Sequence, residues 1–191
     1  GIVNYGHLMV LNSTLSGNSA TGGGGIYNYG TGTLANTIIA NSPTGGDCRT
    51  SYGAVSADHS LVEASGANAC GLTNGVSGNI VGVDPLLGPL GTYSGKTLTY
   101  ALLPGSPALD AGQNCLVTDQ RGVARPQPVG GACDIGAFES RGFSLTYGGG
   151  SGQIAIIGWG RGHFCGRFFC LLLPGGQGCE HVHPHGQGSY R

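Results

Sequence analysis

The sequence predicts an all-β fold of the parallel β-helix type, a solenoid in which each coil stacks on the next. The hexapeptide GIVNYG at residues 1–6 returns as GIYNYG at 25–30, an offset of 24 residues. A period in the twenties is typical of stacked solenoid units. The residues that follow each hexapeptide alternate in the period-2 pattern of a strand. Glycine makes up 40 of the 191 residues, which suits tight corners between short strands.

The same offset continues along the chain. It relates Asn12 to Asn36 and then to Ser60, and a further step reaches Asp84, where only the polarity of the position is kept. Leucine-rich repeats have a similar period, but they require leucines at fixed positions. The leucines of the first two units do not keep such a register, so the β-helix is the preferred interpretation.

An inward polar residue of a β-helix can stack on its counterpart in the next coil, as asparagine ladders do in cross-β structures. Asn12, Asn36 and Ser60 are predicted to form such a ladder. The alternative is that these three are outward turn residues, because asparagine is also common in turns.

Composition limits the classes of partner. Only 9% of the residues are charged and the net charge is -1, so neither nucleic acid nor an anionic membrane surface is expected as a partner. No apolar run approaches the roughly 20 residues of a spanning helix. The chain starts inside a repeat, with neither an initiator Met nor a signal segment. This favours a mature or C-terminal piece that stacks on upstream coils of the same solenoid.

Several ordered motifs carry a family resemblance: GGDC (45–48), VGVDPLLGPL (81–90), TLTYALLPGSPALDAG (97–112), DQRGVARPQ (119–127) and CDIGAFE (133–139). Together with the preceding coils, residues 1 to about 139 resemble the C-terminal part of choice-of-anchor Q domain proteins of bacterial surfaces. The resemblance implies a right-handed parallel β-helix in a secreted or cell-surface protein, attached through a variable C-terminal device. It implies no known reaction.

Three segments are expected. Residues 1–92 hold the β-helix coils with a loop insertion, and residues 93–139 form an irregular segment that caps the end of the solenoid. The composition changes near Arg141, and residues 140–191 are expected to be a glycine-rich linker followed by a disordered tail.

Four cysteines fall into two local pairs, Cys48 with Cys70 and Cys115 with Cys133. Local pairs suit disulfide bonds in an exported protein. The alternative is that these cysteines are free buried thiols.

Charged residues concentrate between 119 and 139, a stretch that contains Asp119, Arg121, Arg125, Asp134 and Glu139. One interpretation is an active site or a carboxylate-binding groove. The preferred interpretation is structural, because the arginine fork can satisfy two carboxylate oxygens at once. Arginine–carboxylate pairs would then hold the irregular segment against the last coil and cover its open edge.

The tail brings histidine and cysteine together in CEHVHPH. Cys179, His181, His183 and His185 are weak candidates for a divalent metal site, because their spacing is not a recognised zinc pattern. The alternatives are disorder or a tail that is not a selected sequence. No cofactor is expected.

The function predicted is that of a non-catalytic, exported or cell-surface β-helix module, structural and adhesin-like, with glycans or surface proteins as its contacts. The alternative is a fragment of a carbohydrate-active β-helix enzyme, a polysaccharide lyase or hydrolase, whose active site lies on upstream coils. Such enzymes need carboxylates or a calcium cluster on an outward strand face. Residues 1–42 contain no Asp, Glu, Lys or Arg, which argues against catalysis there.

Overall fold

A computed structural model describes residues 1–141, 144–148 and 153–157, and it is a parallel β-helix of about three turns. Each coil contributes three short strands. The strands of the coils are β1 (Ile2–Asn4), β2 (His7–Leu11), β3 (Thr14–Ser16), β4 (Ile26–Asn28), β5 (Thr31–Ala35), β6 (Ile38–Ala40), β7 (Cys48–Thr50), β8 (Ala54–Asp58), β9 (Leu61–Val62) and β10 (Ile80–Val81). The predicted fold class is confirmed.

Equivalent strands of successive coils pair in parallel and build three sheets. The first sheet is β1-β4-β7, the second is β2-β5-β8, and the third is β3-β6-β9-β10. The first and second coils are offset by 24 residues in all three sheets, as in the pair Ile2 and Ile26. The third coil follows at 22 residues in the first sheet and 23 in the others, as in the pair Ile26 and Cys48.

The interior of the solenoid is an apolar core supplied by all three sheets. Inward side chains alternate with outward ones along each strand because the side-chain period of a strand is 2. The buried members include Val10, Ile26, Leu34, Ile39 and Val62. Stacking therefore buries in each coil a face that one coil could not bury alone.

A loop between β9 and β10 closes the far end of the third coil. This loop contains two short 3₁₀ helices, Gly66–Asn68 and Val76–Gly78. Ala69 and Cys70 are buried in the solenoid core, and Ala69 pairs with Cys48 of β7 as a parallel bridge. The Cys48–Cys70 disulfide fastens the loop to the coil above.

The segment after the coils lies along the side of the solenoid. It begins with an antiparallel hairpin of β11 (Leu87–Gly91) and β12 (Thr99–Leu102) and continues as irregular chain. A second apolar cluster joins the outward residues of the third sheet, including Ile38 and Leu61, to this segment, including Ile135 and Phe138. The predicted boundary at residue 92 falls directly after β11, inside the hairpin, whereas the last coil strand ends at Val81.

The expectation that residues 93–139 cover the end of the last coil is wrong. The Ala137 N–H donates to Thr14 Oγ1 of the first coil at 3.0 Å, and the Gly136 N–H donates to the Asn36 carbonyl of the second at 2.9 Å. The physical reason is the apolar outer surface of the third sheet, which needs a cover along the length of the stack. Residues 63–79 perform the end closure instead.

Two further strands lie in the C-terminal segment. Strands β13 (Ser144–Gly148) and β14 (Gln153–Ile157) pair antiparallel, with Ser144 opposite Ile157. They flank the glycine-rich stretch that the sequence predicts to be a linker. No helix within the described part of the chain is long and apolar enough to span a membrane.

Candidate functional site

The most exposed aromatic feature of the coils is a column of three tyrosines, Tyr5, Tyr29 and Tyr52, here termed the tyrosine ladder. One tyrosine comes from each coil, at the corner between the first and second sheets. The rings of Tyr5 and Tyr29 stack with centroids 5.0 Å apart and an interplanar angle of 13°. The rings of Tyr29 and Tyr52 follow at 6.2 Å and 26°.

Two buried asparagines set the direction of this corner. Asn4 Nδ2 donates to Asn28 Oδ1 at 2.7 Å in the next coil, and Asn28 Nδ2 donates to the Gly30 carbonyl at 2.8 Å. The Gly6 N–H donates to Asn4 Oδ1 at 3.0 Å. Because these amides turn inward and satisfy the corner backbone, the residue that follows each asparagine points outward, and that residue is tyrosine.

A glycine follows each tyrosine because the coils approach closely there. A Cβ at Gly30 would lie 2.1 Å from the Gly6 carbonyl oxygen, and one at Gly53 would lie 1.9 Å from the Gly30 carbonyl oxygen. The third coil carries one additional residue, Ser51, before its tyrosine. This additional residue accounts for the change of offset from 22 to 23 between the first and second sheets.

The ladder is open to solvent at both ends, since Tyr5 is 78% and Tyr52 73% exposed. Tyr27 packs at a tilt against Tyr29, with centroids 4.6 Å apart, and shares a 2.7 Å hydrogen bond with Ser51 Oγ. Hydrogen bonding with Tyr27 raises the pKa of Tyr29 to about 12, with a smaller contribution from burial. The Tyr29 hydroxyl is therefore neutral at physiological pH.

The outer face of the second sheet, beside the ladder, is poor in charge. Its exposed side chains are mostly hydroxyl-bearing or apolar: His7, Met9, Leu11, Thr31, Thr33, Ala54, Ser56 and Asp58. Asp58 is the carboxylate of this face, and it bonds His59 Nδ1 at 2.5 Å. A rigid aromatic column thus borders a flat surface of small, mostly uncharged groups.

The charged residues predicted to act together do lie together. Arg121 Nε and Nη2 donate to Asp119 Oδ2 at 2.8 and 2.7 Å. Arg125 Nη1 donates to Glu139 Oε2 at 3.1 Å, and both side chains of that pair are buried. The Asp134 N–H also donates to Glu139 Oε2, at 3.0 Å.

The three carboxylates of this cluster hold backbone N–H groups. Asp119 accepts from the N–H groups of Arg121, Val123 and Glu139. Glu139 also accepts from Gln127 N–H, and Asp134 accepts from the N–H groups of Asp110 and Ser140. The cluster therefore orders the irregular segment internally. It does not hold that segment against the last coil, because the segment reaches the first and second coils instead.

Burial shifts the acidity of the cluster. Desolvation raises the pKa of Glu139 to about 6 and also raises the pKa of Asp134. Asp119 behaves differently. Its burial is outweighed by hydrogen bonds from the N–H groups of Glu139 and Val123 and from Arg121, which together lower the pKa of Asp119.

The predicted ladder of Asn12, Asn36 and Ser60 is wrong. Asn36 turns to Gln113 of the side segment, with Nδ2 donating to the Gln113 carbonyl at 2.8 Å. Ser60 is one residue out of register, because the offset to the third coil is 23, and its Oγ accepts from the Thr37 N–H at 3.2 Å. The inward asparagine pair is Asn4 and Asn28. The repeated NYG motif was the available signal both for that pair and for the tyrosines.

The predicted cysteine pairs are confirmed as disulfides. Cys48 and Cys70 have Cα atoms 4.9 Å apart, and Cys115 and Cys133 have Cα atoms 6.4 Å apart. The first closes the end of the solenoid, and the second ties two strands of the irregular segment.

The weak metal candidates Cys179, His181, His183 and His185 lie outside the described residues. Within residues 1–141, 144–148 and 153–157, no group of three or more His, Cys, Asp or Glu side chains is arranged to hold a metal ion.

Comparison of the chain with protein-family models, with curated proteins and with solved structures gave no match.

Proposed function

We propose that this chain is a non-catalytic, exported or cell-surface β-helix module, structural and adhesin-like, that contacts glycans through the tyrosine ladder. The observation that carries the proposal is the exposure of Tyr5 and Tyr52 on a stacked column beside a charge-poor sheet face. Large exposed aromatic surface is a feature of interaction sites.

Tyrosine suits such a contact for physical reasons. It supplies a large amphipathic surface at low conformational-entropy cost. Here the stacking of neighbouring rings restrains each side chain before any ligand arrives. The C–H faces of a sugar ring can pack on the free ring faces and edges, while sugar hydroxyls can bond the tyrosine hydroxyls and nearby Thr31 and Ser51.

Two features support the exported location. Disulfides persist mainly in oxidising compartments, and this chain has two, one at the end of the solenoid and one in the side segment. The resemblance to bacterial choice-of-anchor Q domain proteins agrees with a surface location and with upstream coils as the partner of the first coil.

The buried charge cluster supports a non-catalytic role. A glycosidase needs two carboxyl groups that can reach the scissile bond. The carboxylates of Asp119 and Glu139 are buried, and they are occupied by backbone N–H groups and by arginine. They are therefore poorly placed to meet a polysaccharide.

The test is a depletion assay with the oxidised full chain and a panel of insoluble neutral polysaccharides. We expect the double substitution Tyr5→Ala and Tyr52→Ala to weaken binding about tenfold or more, since each stacked aromatic contributes on the order of 1 kcal/mol. Tyr100→Ala, a tyrosine of the β11–β12 hairpin, is the matched control and should bind like the wild type. Equal binding by the double variant, or release of soluble sugar from any polysaccharide, would contradict the proposal.

A further inference from the structure

The corner between the second and third sheets repeats a left-handed residue in every coil. Asn12, Asn36 and His59 occupy equivalent positions, with φ of 43°, 48° and 42°. Asparagine adopts this backbone region more readily than most residues. Its use at the first two corners places two amide side chains one coil apart on the same side of the solenoid.

In the second coil this amide binds a main-chain segment. Asn36 Nδ2 donates to the Gln113 carbonyl at 2.8 Å, and Asn36 Oδ1 accepts from the Gln113 N–H at 3.0 Å. The side chain thus pairs with both polar groups of one residue. Gly112 permits the approach, because a Cβ there would lie 3.0 Å from Asn36 Oδ1.

In the first coil the equivalent amide faces a groove. The groove has a volume of about 430 Å³ and is lined by Asn12, Ser13, Thr14, Leu116, Thr118, Asp119, Gln120 and Ala137. Asn12 Oδ1 is buried and has no hydrogen-bond partner among the described residues. A buried acceptor without a partner costs free energy, so a bound group that donates to it would restore that loss.

The groove lining selects for an uncharged ligand. Its carboxylate, Asp119, is buried and already accepts from Arg121, Val123 and Glu139. Gln120 Nε2 is occupied by Thr97 and Leu98. The groups that remain are hydroxyls and the Asn12 amide, which offers a donor and an acceptor side by side.

We propose that this groove is a binding site for an extended peptide segment of another protein, whose N–H and C=O pair with the Asn12 amide as those of Gln113 pair with Asn36. The volume lies within the range of roughly 300–1,000 Å³ typical of ligand pockets. The site is separate from the tyrosine ladder, because it follows the strands of the second sheet whereas the ladder precedes them. The proposal does not depend on the proposed function.

The experiment is an NMR titration of the oxidised full chain, observing the Asn12 side-chain amide. The probe is the acetylated and amidated tetrapeptide AGQN, which copies residues 111–114 held by Asn36. We expect saturable shifts at Asn12 and Thr118 with a dissociation constant on the order of 1 mM. A peptide with valine in place of its glycine should bind about tenfold more weakly, because its Cβ substituent blocks the close approach.

Two variants supply the matched comparison. Asn12→Gly removes the amide and tolerates positive φ, and it should weaken the peptide about tenfold or more. Asn41→Gly makes the same change at an exposed residue of similar φ, 57°, and should bind like the wild type. Preserved resonances of Asn4 and Asn28 would show that both variants are folded.

Three results would overturn the proposal. The first is an absence of shifts at Asn12 with the peptide at tens of millimolar. The second is equal peptide binding by Asn12→Gly. The third is a response of Asn12 to a neutral cello-oligosaccharide but not to the peptide, which would make the groove a sugar site.

Discussion

At the scale of single residues, buried polar side chains specify the corners of this solenoid. Asn4 and Asn28 are nearly inaccessible, and each satisfies backbone groups that a tight corner would otherwise leave unpaired. Buried polar groups in native proteins are generally hydrogen-bonded, and the loss of one partner is costly. The tyrosine ladder depends on these amides, because they fix which residues face outward.

The substitution Asn28→Ala should destabilise the protein by about 2–3 kcal/mol. It removes the acceptor of Asn4 Nδ2 and the donor to the Gly30 carbonyl, leaving buried groups unpaired at about 1–3 kcal/mol each. Urea denaturation would measure the change. Thr33→Ala, an exposed position on the same coil, is the control and should change stability by no more than about 0.5 kcal/mol. A loss for Asn28→Ala as small as that of the control would refute the role of the pair.

Glu139 should make stability fall as the pH rises. Burial raises its folded-state pKa to about 6 from an ordinary value of 4.5, so the folded protein binds its proton more tightly than the unfolded chain does. The contribution is fully present below pH 4.5 and is lost as the pH rises through 6. The expected size is about 1–2 kcal/mol, at roughly 1.4 kcal/mol per pKa unit.

Denaturation of wild type and of Glu139→Gln between pH 4 and 7 tests this pH dependence. The variant should show a flatter profile over that window, while the contributions of His7 and His59 stay in both proteins. Asp119, whose pKa is lowered, contributes with the opposite sign and at lower pH. Parallel profiles for the two proteins would show that Glu139 does not titrate in this window.

At the scale of elements, the Cys48–Cys70 disulfide and the loop it holds act as the closure of the stack. We expect the double substitution Cys48→Ala and Cys70→Ala to cost about 3 kcal/mol or more, from loop entropy and from the loss of buried sulfur in the core. Cys115→Ala with Cys133→Ala should cost less, because Cys115 is only partly buried. Thermal unfolding of both variants, with and without reductant, measures the difference, and the reverse order would contradict this account.

The repeat and its strands could be predicted from the sequence because identical hexapeptides recur at one offset. The third coil was harder, since Ser51 adds a residue at the corner and shifts the later register. The side cover had a signal that the analysis did not use. Ile38, Ile39 and Ala40 form a continuous apolar run, typical of strands buried on both faces, whereas the second sheet alternates apolar and polar residues.

The candidate sites were less accessible to sequence reasoning. Tyr5, Tyr29 and Tyr52 recur in the sequence, but their stacking depends on a corner geometry that only the register reveals. The pairing of Asn36 with Gln113 joins residues 77 positions apart. No local pattern encodes a contact of that range.

At the scale of the whole molecule, the second sheet joins two separate features. The tyrosine ladder lies before its strands and the Asn12 groove lies after them, so five-residue strands separate the two by roughly 15–20 Å. A surface module with this arrangement could hold a glycan along one corner and a peptide along the other. The coils between them supply rigidity, because each strand is paired with its neighbour and the core is closed at the third coil.

The most direct test of the central claim is an NMR titration of the oxidised full chain with neutral oligosaccharides, observing the ring resonances of Tyr5, Tyr29 and Tyr52. The account predicts saturable shifts at the tyrosine ladder, with Tyr93 and Tyr100 unchanged and the oligosaccharide recovered intact. Unperturbed ladder resonances with every sugar of the panel, or cleavage of the oligosaccharide, would contradict a non-catalytic glycan-contacting module.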